Sequence, residues 1–240
     1  MELYRGTGAK PLYLQLEEII RSDIENGIYN KGELLPSEKQ YMDEYDVSRV
    51  TCRQAFALLA QNGYIQRFRG IGTVVAYEKI SEEMNQVISL TEEMKKHNIV
   101  MHTTFCQMDL ISPDTRVAVT LGILKTDQCY RLVRVRDVDG KPLVYTVTYL
   151  KKIVDLPTDP TMYTESLYRF VNEKYGICIA RGTDTLEAAL PNEEVQKMLQ
   201  ISSGSPIFIR TRKTYLKNDE IFEYSFCYYP GNRYKYSVEL

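Results

Sequence analysis

Residues 48–55 read Ser48-Arg49-Val50-Thr51-Cys52-Arg53-Gln54-Ala55. Ser48 is a helix-capping residue, and Cys52, Ala55, Phe56 and Leu59 then recur at i, i+3, i+4 and i+7, the spacing of one buried helical face. Arg49 and Arg53 lie one turn apart and outside that stripe. A break at Asp46-Val47 precedes this helix, and Gly63 follows it.

Upstream, Ser37 precedes Glu38-Lys39-Gln40 with the S-x-x-Q spacing of a capping box, which predicts a short helix to about Tyr45. Residues 29–36 form a turn-rich connection. Before it, residues 11–26 read as a helix with Pro11 at its first position, an apolar stripe of Leu12, Leu16, Ile19, Ile20 and Ile24, and a stop at Gly27. Downstream, two β-prone runs, Tyr64 to Arg69 and Thr73 to Tyr77, flank Gly70-Ile71-Gly72 and predict a hairpin. Three helices followed by a glycine-tipped hairpin make a winged helix-turn-helix.

Charge supports an anionic partner for this segment. The chain carries Lys+Arg 30 against Asp+Glu 32, a net charge of -2. Yet Glu33, Glu38, Asp43, Glu44 and Asp46 precede a stretch from Val47 to Tyr77 that has no acid and contains Arg49, Arg53, Arg67 and Arg69. In such a fold the second helix of the motif enters the major groove, where Arg49, Arg53 and Gln54 suit base edges. The hydroxyls of Ser37, Ser48 and Thr51 suit phosphate oxygens. Glu38, Arg67, Arg69, Gly70, Gly72 and Thr73 complete the candidate DNA-contacting set, the two glycines allowing close approach at the wing tip.

After residues 78–88, a linker with no clear strand or core pattern, the chain changes style. Tyr130 to Asp137 and Leu143 to Leu150 are β-rich and meet at Asp139-Gly140, a tight-turn pair. Ile207 to Leu216 and Ile221 to Tyr229 form a second such pair. Helices are predicted from Ser166 to Tyr175, after Pro191, and from Ser112-Pro113 to Gly122, with a strand near residues 183–189. Antiparallel strands with a few helices predict an α+β domain. Arg134 and Arg136 share a strand face and suit a phosphate or carboxylate. Ser89, Thr91 and Ser166 offer hydroxyls near helix starts, Tyr168 and Tyr229 suit a sugar, and Glu223 accepts from its hydroxyls.

Other classes are disfavoured. No run approaches the length of a spanning helix, and the first residues lack a signal-peptide core. Five scattered cysteines and two histidines, His97 and His102, make no zinc framework and suit a reducing cytosol. The expectation is a cytoplasmic protein with no metal, no cofactor and no membrane partner. There is no G-x-S-x-G elbow, P-loop, H-E-x-x-H or dinucleotide fingerprint, so no catalytic residue is assigned.

Pro11-Leu12-Tyr13, Leu35-Pro36-Ser37-Glu38, Val47-Ser48-Arg49 with Thr51, Arg53 and Ala55, Gly63-Tyr64-Ile65 and Gly70-x-Gly72-Thr73-x-Val75 resemble the GntR family of bacterial transcription regulators. Ser89-Leu90-Thr91-Glu92-Glu93-Met94, Arg134-Val135-Arg136, Asp139-Gly140-Lys141-Pro142, Ser166-Leu167-Tyr168 and Glu223-Tyr224-Ser225 resemble the UTRA effector domain of its HutC-type branch. The resemblance implies a winged helix-turn-helix domain over residues 1–77, a linker over 78–88, and a chorismate-lyase-like domain over 89–240 that binds an effector and dimerises. It implies a homodimeric repressor released from a palindromic double-stranded DNA operator by a small anionic metabolite such as a sugar phosphate. An enzyme with a DNA-binding appendage and a constitutive DNA-binding dimer are the alternatives. Ile71 stands where the family often has Lys or Arg, Cys52 replaces an aliphatic residue, and Thr146 stands where sugar-phosphate-binding relatives can carry an acid.

Overall fold

In the computed structural model, helix α1 spans Leu12–Glu25 and buries Leu16, Ile19, Ile20 and Ile24, the stripe their spacing dictates. Pro11 caps this helix instead of opening it, because its ψ of 137° is still extended. The structure describes residues 3–6, 8–77, 80–83, 89–96 and 98–237. They divide into two units, Met1–Lys79 and Ile80–Leu240. His97 and residues 78, 79 and 84–88 of the expected linker lie outside the described residues.

In the first unit α2 (Glu38–Tyr45) carries the full reciprocal capping box of Ser37 and Gln40. Asp46 then turns left-handed at φ 49° and breaks the chain before α3 (Arg49–Gln61), which Ser48 caps. Cys52, Ala55, Phe56 and Leu59 are fully buried and pack with Leu16, Ile20, Ile24, Leu35 and Tyr41. Strands β1 (Ile65–Phe68) and β2 (Gly72–Val75) pair in register around the glycine tip. The connection expected to be turn-rich also feeds this wing. Leu35 N–H donates to the Thr73 carbonyl and Val75 N–H to the Glu33 carbonyl, both at 2.9 Å. Tyr64 fastens the wing's base to α1 through a 2.6 Å hydrogen bond to Glu25.

The second unit contains a strand the sequence pattern does not suggest, β3 (Ile80–Glu83), inside the expected linker. It pairs in parallel with β10 (Tyr234–Ser237), from the far end of the chain, so nothing local announces it. Next come α4 (Leu90–Lys96), β4 (His102–Ile111), α5 (Thr115–Leu121), β5 (Cys129–Val138), β6 (Lys141–Lys151), α6 (Leu167–Tyr175), β7 (Arg181–Ala189), α7 (Glu193–Leu199), β8 (Ile207–Tyr215) and β9 (Ile221–Pro230). His102 is exposed at the start of β4.

Six of these strands form one antiparallel sheet in the order β4-β5-β6-β9-β8-β7. The β5–β6 turn puts Asp139 and Gly140 at φ 54° and 72°, the left-handed pair a tight hairpin demands. One sheet face carries Val133, Val135, Tyr145 and Val147 against Val195 and Leu199 of α7. On the other, Leu132 and Leu150 pack with Leu167 and Val171 of α6, and Val144 and Tyr229 pack with Leu90 and Met94 of α4. Between those two apolar clusters runs a belt of polar residues.

Candidate functional site

On the first unit, the α3 N-terminus is built by Ser48, whose Oγ accepts from Thr51 N–H at 3.1 Å and lies 2.9 Å from Thr51 Oγ1. Arg49, Val50, Arg53 and Gln54 are exposed on the side away from the buried stripe. Gly70 and Gly72 hold φ of 80° and 130°, with Ile71 exposed between them. Arg69 is exposed, and Thr73 is half-buried in the hairpin.

Two members of the expected DNA-contacting set engage each other. Arg67 Nη2 donates to Glu38 at 2.8 Å, and its guanidinium stands 5.9 Å from the Phe56 ring centre. Ser37 Oγ donates to Gln40 Oε1 at 2.9 Å, so its hydroxyl is occupied by the cap. Among the described residues, Arg49, Arg53 and Arg69 make no ion pair.

The second unit has a partly open pocket at the polar belt, lined by 14 residues. Sheet register lays its floor in rows. Arg134 on β5 pairs with Thr146 on β6, Thr146 with Cys227 on β9, and Cys227 with Arg210 on β8. One row on, Thr148, Ser225 and Arg212 follow, with Asp184 at the β7 edge. Ser89, Leu90 and Thr91 at the α4 start, and Leu167 and Tyr168 at the α6 start, complete the walls.

Arg134 is 5% exposed, and its Nη1 donates to the carbonyls of Tyr163 and Glu165, each at 3.1 Å. Among the described residues its Nε has no hydrogen-bond partner. Burial, and then the like charge of Arg136, push its pKa down to about 9. Arg136 Nη1 reaches Thr91 Oγ1 at 3.4 Å. Arg212 grips Asp184 in a two-contact fork at 2.6 and 2.8 Å. Burial and Arg210 oppose its charge, but Asp184 and Tyr168 outweigh them and raise its pKa. Tyr168 donates to Glu223 at 2.6 Å, and Thr214 donates to the same oxygen at 3.3 Å. Burial, and then the Glu223 charge, hold the Tyr168 phenol far above its usual range.

Residues 12–75 match the gntR family of bacterial regulatory proteins, and residues 96–235, more than half the chain, match the UTRA domain. The chain belongs to the GntR family and carries a UTRA domain. It is 28% identical to the HTH-type transcriptional repressor NagR of Bacillus subtilis (strain 168), over 94% of this chain and 93% of that one. It is 29% identical to the mannosyl-D-glycerate transport/metabolism system repressor MngR of Escherichia coli (strain K12), over 96% of each. The solved structure of PhnF from Mycobacterium smegmatis superimposes with a TM-score of 0.63 at 25% identity, covering 95% of this chain and 98% of that one. The protein is thus a DNA-binding transcription regulator with an effector domain, not an enzyme. Among the described residues, no helix is long and apolar enough to cross a membrane.

For this GntR regulator the sequence-derived effector set divides in two. Ser89, Thr91, Arg134, Arg136, Tyr168 and Glu223 all line the one cavity. Ser166 and Tyr229 do not. Ser166 caps α6 and donates to Ser89 Oγ at 3.0 Å, one step behind the wall. Tyr229 is fully buried and stacks on Tyr234 at 4.0 Å, beneath α4. The lining also holds Thr146, Thr148, Arg210, Arg212, Ser225 and Cys227, which the sequence reading did not assign as effector contacts. The i, i+2 spacing in Arg210-Thr211-Arg212 repeats that of Arg134-Val135-Arg136 and was the available signal.

Proposed function

We propose that this regulator is a homodimeric repressor that holds a palindromic operator and is released from it by a small anionic metabolite, a sugar phosphate in class. The observation that carries the reading is Arg134: a buried guanidinium lining a pocket, which donates to two carbonyls and, among the described residues, has a donor left over. A ligand oxyanion there gains a charge-assisted hydrogen bond in a low-dielectric setting. Arg136, Ser89 and Thr91 stand beside it, and Thr146, Thr148, Ser225 and Glu223 offer hydrogen bonds to sugar hydroxyls. NagR and MngR are both named as repressors, and MngR for a mannosyl-D-glycerate system, which supports a sugar-derived effector here.

On the operator, Arg49, Arg53 and Gln54 read bases, while Ser48, Thr51, Arg69, Gly70, Gly72 and Thr73 meet the backbone. Arg67, Glu38 and Ser37 act mainly by fixing the shape of the surface. Two copies joined through their effector domains address two half-sites. The metabolite lowers operator affinity by binding better to a conformation that fits DNA worse. A thermal-shift screen against sugar phosphates, amino-sugar phosphates and carboxylates tests this. A ligand at 100 times its Kd adds about 2.7 kcal/mol of apparent stability. A screen in which no phosphorylated sugar shifts the transition overturns the effector assignment.

A further inference from the structure

Helix α2 is capped at its start by Ser37 and Gln40, but its last turn holds no basic residue. Its 8 residues are too few for a helix that is stable by itself, so its ends matter. The carbonyls left open at a helix C-terminus carry partial negative charge and attract a cation. Here the cation comes from outside the helix. Arg5 Nη2 donates to the carbonyls of Tyr45 and Asp46 at 2.9 and 2.6 Å, and stands 3.6 Å from the Asp46 carboxylate.

Those two carbonyls belong to the turn of the helix-turn-helix. Tyr45 ends α2, Asp46 is the left-handed residue that redirects the chain, and Ser48 caps α3. The arm that delivers Arg5 is itself held. Gln15 of α1 accepts from the Tyr4 N–H at 2.8 Å and donates to the Tyr4 carbonyl at 2.9 Å. The same side-chain amide donates to the Lys10 carbonyl at 2.6 Å. Leu3 packs against the core that contains Phe56 of α3. Residues 3–5 thus strap α1 to the turn between α2 and α3.

Resting on the reading that α3 enters the operator, we propose that Arg5 is a positioning residue for operator recognition. It fixes the turn between α2 and α3, and through the turn the angle at which Arg49, Arg53 and Gln54 meet the bases. A guanidinium engaged with two carbonyls acts on DNA through the turn, without touching it. Base readout needs donors aligned with base edges, whereas phosphate contacts tolerate more play. A loosened turn therefore costs operator preference more than affinity for DNA in general.

The test uses the full-length protein and a palindromic duplex that the unmodified protein enriches from a random-sequence library. A scrambled duplex of equal length is the non-specific probe, and fluorescence anisotropy gives both affinities over a range of salt concentrations. Arg5→Ala is expected to lower the operator-to-scrambled affinity ratio about fivefold, the effect of one cation at a helix end. Its affinity for the scrambled duplex, and the salt slope of that binding, should match the unmodified protein's. Arg5→Lys, which keeps a cation at the two carbonyls, should hold the ratio within twofold. An unchanged ratio in Arg5→Ala overturns the proposal. So does a salt slope reduced by about one, which makes Arg5 a phosphate contact. Arg53→Ala in the same assay separates the two readings. A ratio unchanged there overturns the α3 reading and this proposal together; a ratio that falls there but not in Arg5→Ala overturns this proposal alone. Where Arg5→Ala does not fold, as judged by circular dichroism, Arg5→Gln takes its place in the same assay.

Discussion

Tyr168 Oη donates to Glu223 Oε2 at 2.6 Å, so the first turn of α6 is latched to strand β9 across the cavity. Tyr168→Phe removes that donor and leaves the buried carboxylate with the Thr214 hydroxyl, 3.3 Å away. An under-satisfied buried group costs about 1–3 kcal/mol. The unfolding transition of the second unit should fall by several degrees in scanning calorimetry. Operator affinity without effector should not change. An unaltered transition would mean that the latch contributes nothing.

Arg53 is exposed on α3 and away from the core stripe, so Arg53→Ala should leave stability alone. Loss of a bidentate base contact removes about 1–3 kcal/mol of discrimination. Competition titration should show operator preference reduced by that amount while non-specific binding, carried by phosphate contacts, persists. Unchanged preference would remove Arg53 from base reading.

Phe56 is fully buried where α1, α2 and α3 meet. Phe56→Ala should cost about 3–5 kcal/mol, enough to unfold a small domain of ordinary stability. DNA binding should disappear while effector binding to the second unit survives, because the two units have separate cores. Loss of both activities would show that the units do not fold independently.

Burial, and then Arg136, bring the Arg134 pKa down to about 9, and only the protonated guanidinium attracts an anion. Effector affinity should therefore be flat from neutral pH to about 9. It should fall by up to tenfold per pH unit above that, as deprotonation competes with binding. Calorimetric Kd values between pH 7.5 and 10.5 check the sign, and a constant affinity over that range means that the guanidinium stays protonated throughout it.

Features with local causes could be read from the chain. The Ser37–Gln40 box, the Ser48 cap, the stripe through Phe56 and the Asp139-Gly140 turn each involve residues within a few positions of one another. What escaped depends on distant partners. Strand β3 exists through β10, and β4 is an edge strand whose polar, half-exposed side chains give it no clean alternation. The Glu38–Arg67 pair joins residues 29 positions apart. Arg210 and Arg212 showed the right spacing, but only the strand order β5-β6-β9-β8 brings them to the floor that Arg134 shares. Tyr229 alternates correctly with Glu223, but its place in the strand carries it past the cavity and under α4.

The central claim is that an anion on Arg134 weakens the grip on DNA. Fluorescence anisotropy of a labelled operator, titrated with the phosphorylated effector found by thermal shift, measures this for the unmodified protein and for Arg134→Ala. The expected result is release of the unmodified protein, with Arg134→Ala still bound to operator at effector concentrations at least tenfold higher. Equal release of both proteins, or no release of either, contradicts it.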